Sequence, residues 1–113
     1  MFGLQRQNKM TASAEQIQYI MRDESNHLNF GVFMINTIKE EQPALWTAEF
    51  QQHIIDLMKK GVELEYEFAT TVFPKGIFGM NAQGFRQYVE HIADRRLNAV
   101  GLPSVYGSAN PFP

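Results

Sequence analysis

The stretch RDESNHLNFG, residues 22–31, holds three side chains whose types and spacing could do chemistry: Asp23, Glu24 and His27. Glu24 and His27 are three residues apart, so on a helix they stand one turn apart on one face. A carboxylate oxygen beside an imidazole nitrogen can form an ion pair when the imidazole is protonated. The same two atoms can also be neighbouring ligands of a metal ion. Carboxylate and imidazole together suit iron and manganese. A Glu-x-x-His pair on each of two helices, with one Glu from each of two others, is the ligand pattern of dinuclear carboxylate bundles. The spacing alone is a weak signal, because an acid and a histidine fall three apart by chance. The surroundings sharpen it. Ile17, Ile20, Met21, Leu28, Gly31, Met34, Ile35 and Ile38 recur at three- and four-residue steps around the pair, which is one apolar stripe of a helix. Gln18, Arg22, Asn29, Asn36 and Lys39 occupy the opposite face, with Phe33 an exception. An ionised carboxylate buried in such a stripe is costly unless partnered. Glu24 is therefore expected to be compensated either by a protonated His27 or by a metal cation, and both remain open.

The chain supplies its own comparisons. His53 with Asp56, and His91 with Asp94, have the same spacing. Neither pair is centred on an apolar stripe, so both are expected on solvated faces. Glu63, Glu65 and Glu67 read as a charged helix face, salt-bridged or solvated, with Glu65 bordering apolar positions. Met10, Met21, Met34, Met58 and Met80 are expected to pack rather than to hold a cofactor. No Gly-rich phosphate loop, nucleophile elbow or basic, aromatic-interleaved strand is present.

These residues must be positioned by helices. A first block runs from about Ser13, with Ser13 and Gln16 as a capping box, to Glu41, just before Pro43. A second runs from about Thr47 to Phe73 and stops at Pro74, with Phe50, Ile54, Leu57, Met58, Gly61, Leu64, Phe68 and Val72 as its stripe. Residues 74–80, PKGIFGM, form a turn. Asn81 caps a third block that reaches about Val100, with Phe85, Tyr88, Val89, Ile92 and Leu97 as its stripe. Gly101 and Pro103 supply the stop. The tail from Ser104 is irregular. About three amphipathic helices with short connections predict an all-α chain forming part of a helical bundle, with residues 1–113 as a single partial domain.

The length of 113 residues suggests one domain or part of one. A net charge of −2 gives no nucleic-acid footprint. The absence of cysteine excludes disulfides and thiolate metal sites. No signal-peptide pattern opens the chain, and no apolar run approaches a membrane span. A cytoplasmic protein with neither membrane nor nucleic-acid partner is expected.

The stretch RDESNHLNFG resembles the second Glu-x-x-His motif of the class I ribonucleotide reductase small (beta) subunit family. The similarity continues through FMINTIKEEQPALWTAEF, GVELEYEFA, GIFGMNAQGFRQYVEHIADRRLNAVGLP and the ending YGSANPFP, and so covers nearly the whole chain. RDESxHLNFG is most like the branch that includes the manganese/iron enzymes. The resemblance implies a ferritin-like helical homodimer whose dinuclear iron or manganese/iron site generates an oxidant or tyrosyl radical. That oxidising equivalent passes to the large subunit for reduction of ribonucleotides to deoxyribonucleotides. By the same resemblance Glu24 and His27 are metal ligands on the later ligand helix. Asp23 matches an aspartate that hydrogen-bonds a ligand histidine of the other metal and joins the radical-transfer path. Arg22 matches a structural salt-bridge residue. Trp46 lies away from the relay position and is expected to pack.

The remaining ligands, the radical site and the relay tryptophan would lie upstream of this region, and a docking tail with a relay tyrosine would follow it. The chain is thus expected to be the C-terminal part of the helical core, inactive alone, with a complementary N-terminal portion as partner. Apolar surface around Glu24 would face missing helices and favour oligomerisation; a homodimer could bring two Glu24/His27 pairs together. A ferritin-like metal-binding fragment without nucleotide reduction is one alternative. A non-catalytic helical interaction module, in which Glu24 and His27 form an ordinary pair, is the other.

Overall fold

The computed structural model describes residues 10–76 and 81–112. They form three α-helices, α1 (Thr11–Glu41), α2 (Ala48–Val72) and α3 (Ala82–Ala99), with a 3-10 turn at Pro43–Leu45. No strand occurs among the described residues, as the sequence pattern predicts. The chain divides into two compact units, Met1–Thr37 and Ile38–Pro113. The described part of the first is the body of α1. The second holds the end of α1, the 3-10 turn, α2, α3 and the C-terminal segment.

Local chemistry sets most boundaries. α1 begins earlier than expected: the Met10 carbonyl already accepts the Ala14 N–H at 3.0 Å. Ser13 therefore lies inside the first turn, and its capping box with Gln16 does not form, because a cap needs non-helical backbone. At the other end Gln42 leaves the helical region (φ −135°), which is disfavoured before a proline. Thr47 caps α2 by accepting the Phe50 N–H on its hydroxyl at 3.0 Å. Phe73, before Pro74, ends it. The expected turn is present over 74–76, where the Gly76 N–H donates to the Phe73 carbonyl at 3.0 Å; residues 77–80 lie outside the described residues. Asn81 caps α3 through the Gly84 N–H at 2.7 Å.

The end of α3 is a Schellman turn. The Leu102 N–H bonds to the Leu97 carbonyl at 2.9 Å and the Gly101 N–H to the Asn98 carbonyl at 3.0 Å, with Gly101 at φ +85°. Leu97 and Leu102 are both buried, the apolar contact that accompanies this motif. Lys39, from the end of α1, donates its ammonium to the Val100 carbonyl at 2.6 Å. It thus sits at the negative end of the α3 dipole. The same ammonium lies 4.5 Å over the Trp46 ring, and Trp46 meets Phe50 edge-on. Trp46 is a packing residue.

α2 and α3 pack against each other, burying Val62 and Ala69 on one side and Ala93, Asp94 and Leu97 on the other. This corrects the expected α2 stripe. Phe50, Leu57, Leu64, Phe68 and Val72 are exposed; Ile54 and Met58 of that stripe are half-buried, and the covered row continues through Ile55, Val62, Tyr66 and Ala69. At the edge of the contact Arg86 holds Glu63 bidentately and Glu90 at 3.0 Å, and lies 5.1 Å over the Tyr66 ring. The hydrogen bond from Arg86 keeps the Glu63 carboxyl below its usual range.

Beyond the Schellman turn the chain doubles back along α3 as an extended strap. One side chain fixes it. The Asp94 carboxylate accepts the backbone N–H groups of Val105 at 2.7 Å, Tyr106 at 3.2 Å and Gly107 at 2.8 Å. Asp94 is 5% exposed, not on the solvated face expected from its spacing to His91. Its surroundings are the strap, which packs over α3 only after the chain has turned. Burial pushes the Asp94 carboxyl up, but the three N–H donors and the nearby His91 outweigh it and hold the group below its usual range.

Gly101→Ala forces a Cβ into a left-handed backbone and to within 2.5 Å of the Lys39 ammonium; it should cost about 1–2 kcal/mol in urea unfolding. The Asp94 contribution has a defined pH window. The folded group titrates below its unfolded value of 3.8, so its stabilisation is full above about pH 5 and is lost as pH falls through the folded value. Asp94→Asn should therefore unfold more readily near neutral pH and show a flatter stability profile below about pH 4.

Candidate metal centre

α1 carries Asp23, Glu24 and His27 on its middle turns. The helix is long enough to hold them rigidly because proline is absent before Pro43 and β-branched residues are dispersed. The Glu24 Oε1 and His27 Nδ1 atoms are 3.7 Å apart. The structure thus brings this pair together as the spacing requires. It does not bury it: the side chains are 70% and 75% exposed respectively.

The exposure extends to much of the stripe. Ile20, Met21, Met34, Ile35 and Ile38 are exposed, and Leu28 is half-buried. One helix cannot cover its own face, and Ala14 is the only residue of α1 that is buried among those described. The expected burial of Glu24 and His27 is therefore corrected, whereas the expected apolar surface around Glu24 is present. A second apolar set lies on the far side, where Phe30 and Phe33 are 62% and 66% exposed. Among the described residues Arg22 is not seen to bridge a carboxylate; its guanidinium lies 5.3 Å over the Tyr19 ring. A helix apolar on more than one face belongs inside a larger assembly.

The donor chemistry fits a metal in part. Two donors that are each about 2.1 Å from one ion stand no more than about 4.2 Å apart, so Oε1 and Nδ1 can share one ion with little side-chain adjustment. A hard oxygen with an imidazole nitrogen is the set that iron and manganese accept. Among the described residues no third His, Asp or Glu completes a metal-holding group. Asp23 is exposed and lies about 100° round the helix from Glu24, one turn before His27.

The comparison pairs behave differently. His53 and Asp56 are exposed, as expected, with Gln52 donating to Asp56 at 2.9 Å. His91 is half-buried, with its Nδ1 3.2 Å from the Ser108 carbonyl. Glu63 is salt-bridged, while Glu65 and Glu67 are exposed. Spacing missed Asp94 as an anchor. An acid between Ala93 and Leu97 on the packed face of α3, ahead of an irregular glycine-containing segment, was the available signal.

A family model, "Ribonucleotide reductase, small chain", matches residues 1–111. A ribonucleoside-diphosphate reductase subunit beta of Chlamydia pneumoniae is 56% identical over 108 residues, 96% of this chain and 31% of that protein. A ribonucleoside-diphosphate reductase small chain of Plasmodium falciparum (isolate Dd2) is 31% identical over 111 residues, 98% of this chain and 30% of that protein. Among solved structures, a ribonucleotide reductase R2 subunit from Clostridium botulinum superposes with a TM-score of 0.89 at 33% identity, over 96% of this chain and 34% of its own. The chain spans about a third of the length of the relatives it matches. No helix among the described residues is long and apolar enough to cross a membrane.

An exposed i,i+3 pair contributes little to stability, typically below about 1 kcal/mol. Glu24→Ala and His27→Ala should each change the unfolding free energy of this chain by no more than about 0.5 kcal/mol in urea titrations. A loss above about 2 kcal/mol would identify a structural buried pair instead.

Proposed function

The chain belongs to the ribonucleotide reductase small-chain family, and from that membership we propose that it supplies one ligand pair, Glu24 and His27, to the site that initiates ribonucleotide reduction. The observation that carries this is the pairing of Oε1 and Nδ1 at 3.7 Å in the middle of an uncovered apolar stripe. When bound there, a dinuclear iron or manganese/iron centre supplies the oxidising equivalent that passes to the large subunit. A further Glu-x-x-His and two more glutamates come from a complementary N-terminal portion of the small subunit. The assembled subunits pair as a homodimer in the cytoplasm.

The residues of this chain have defined tasks in that arrangement. Glu24 offers a full negative charge and an oxygen that can bridge or chelate. His27 must be neutral to offer the Nδ1 lone pair, so its proton sits on Nε2. Metal uptake therefore competes with protonation of the imidazole and weakens as pH falls. Asp23 accepts a hydrogen bond from a ligand histidine of the N-terminal portion. It fixes that ring's tautomer and forms the first link for radical transfer away from the metals. The uncovered stripe of α1 packs against the helices of that portion, and their arrival excludes water from Glu24 and His27.

The test is anaerobic loading with Fe(II) and Mn(II), on this chain mixed with a polypeptide supplying the upstream two thirds of a small subunit. Unbound Mn(II) is counted by its electron paramagnetic resonance signal. The mixture should hold about two metals per reconstituted pair, and Glu24→Ala or His27→Ala should weaken binding by at least about tenfold. Asp23→Asn should keep the metal and lose large-subunit-dependent nucleotide reduction. Equal metal content in wild type and both ligand variants would overturn the assignment and leave a helical interaction module.

A further inference from the structure

The strap that covers α3 is recognised one turn at a time. At the C-terminal end of the helix, Asp94 takes three consecutive backbone N–H groups, from Val105, Tyr106 and Gly107. One turn earlier, Glu90 accepts the Ser108 hydroxyl at 2.7 Å and His91 Nδ1 lies 3.2 Å from the Ser108 carbonyl. A further turn back, Gln87 donates its side-chain amide to the Ala109 carbonyl at 3.0 Å. Tyr88 meets the Phe112 ring at 5.5 Å between centroids. The strap's backbone is thus read on both its donor and its acceptor side. Its hydroxyl and its terminal aromatic ring each meet a separate partner.

Such a ladder does not depend on the strap being tethered. The helix presents a carboxylate for amides, amide and imidazole groups for carbonyls, and an aromatic face for the end. Extended peptides are bound this way, with main-chain hydrogen bonds giving affinity and pockets for single side chains giving selectivity. Glu90 is in turn held at 3.0 Å by Arg86, which also grips Glu63 on α2. The register is therefore braced by the α2–α3 contact rather than by the strap. Gly107, at φ +68°, lets the third N–H turn toward Asp94, a conformation that other residues adopt at a cost.

We propose that the α3 face from Gly84 to Asp94 is a peptide-binding site, filled in this chain by its own residues 105–112. When the strap releases, the site takes the same kind of segment from a second chain. The ligand class is an extended peptide with three consecutive free amides, then a hydroxyl side chain, then a proline–aromatic end. The cis segment competes at high effective concentration, so the site is closed by default and opens only when the strap is displaced.

The test uses the full chain and a fluorescein-labelled synthetic peptide, SVYGSANPF-amide, with fluorescence anisotropy as readout. Gly107→Pro removes one N–H donor and the required backbone conformation from the strap, leaving α3 unaltered. The peptide should bind this variant saturably, and the unmodified chain at least about tenfold more weakly because the cis strap competes. Adding Asp94→Asn to Gly107→Pro should abolish the binding. Ser108→Ala combined with Phe112→Ala, which weakens the strap without touching its backbone, provides the same test should Gly107→Pro not fold. Absence of saturable binding to a strap-weakened chain with normal helicity would overturn the proposal. So would binding that is indifferent to Asp94.

Discussion

Burial of the apolar stripe on α1 is the constraint on which the chemistry proposed for this chain depends. In the chain as it stands, Glu24 and His27 are exposed at 3.7 Å, where two opposite charges attract by only about 1 kcal/mol in a water-like dielectric. Covering the stripe changes the balance in two opposed ways. The attraction rises to several kcal/mol at an effective dielectric near 20, but stripping water from the carboxylate costs a comparable amount. A divalent cation shifts that balance, because it meets the carboxylate with twice the charge and does not require the imidazole to be protonated. On the proposed ligand role of Glu24 and His27, metal binding and coverage of the helix face form one thermodynamic unit.

The second unit, from Ile38 onward, completes its own electrostatics. Arg86 joins α2 and α3 through Glu63 and Glu90. The Lys39 ammonium meets the Val100 carbonyl at the end of α3. Asp94, the one buried charged side chain among the described residues, has three donors for its two oxygens. Its buried apolar set is small, with Val62 and Leu97 the largest fully covered side chains, each contributing about 1.5–3 kcal/mol. The charged contacts accordingly do the orienting. They fix where α3 ends, how it lies on α2 and which way the strap runs.

What the sequence revealed follows from the range of each interaction. Thr47, Asn81, Pro43 and Gly101 marked helix ends correctly because a cap or a left-handed turn is decided within three or four residues. Ser13 failed because the same local signal can lie inside a helix that starts upstream of it. The covered row on α2 was misread for a different reason. Two adjacent rows are both apolar, and only the position of α3 selects Val62 and Ala69 over Leu57 and Leu64. Asp94 escaped notice because its partners lie eleven to thirteen residues away and are backbone amides, which carry no side-chain signature. The Glu24–His27 pairing was legible from its i,i+3 spacing; its burial was not, since burial belongs to layers that one helix does not contain.

The contrast between Asp94 and Glu24 explains why one carboxylate is structural and the other is available for chemistry. Both stand on helices among apolar neighbours. Both oxygens of Asp94 accept N–H groups from its own unit, which favours the ionised form. Glu24 has His27 beside it at 3.7 Å, a distance beyond a good hydrogen bond, and its side chain is 70% exposed. A carboxylate in an apolar stripe whose own unit does not satisfy it must be satisfied by whatever covers the stripe. On the proposed function, that partner is a cation held jointly with ligands from the covering helices.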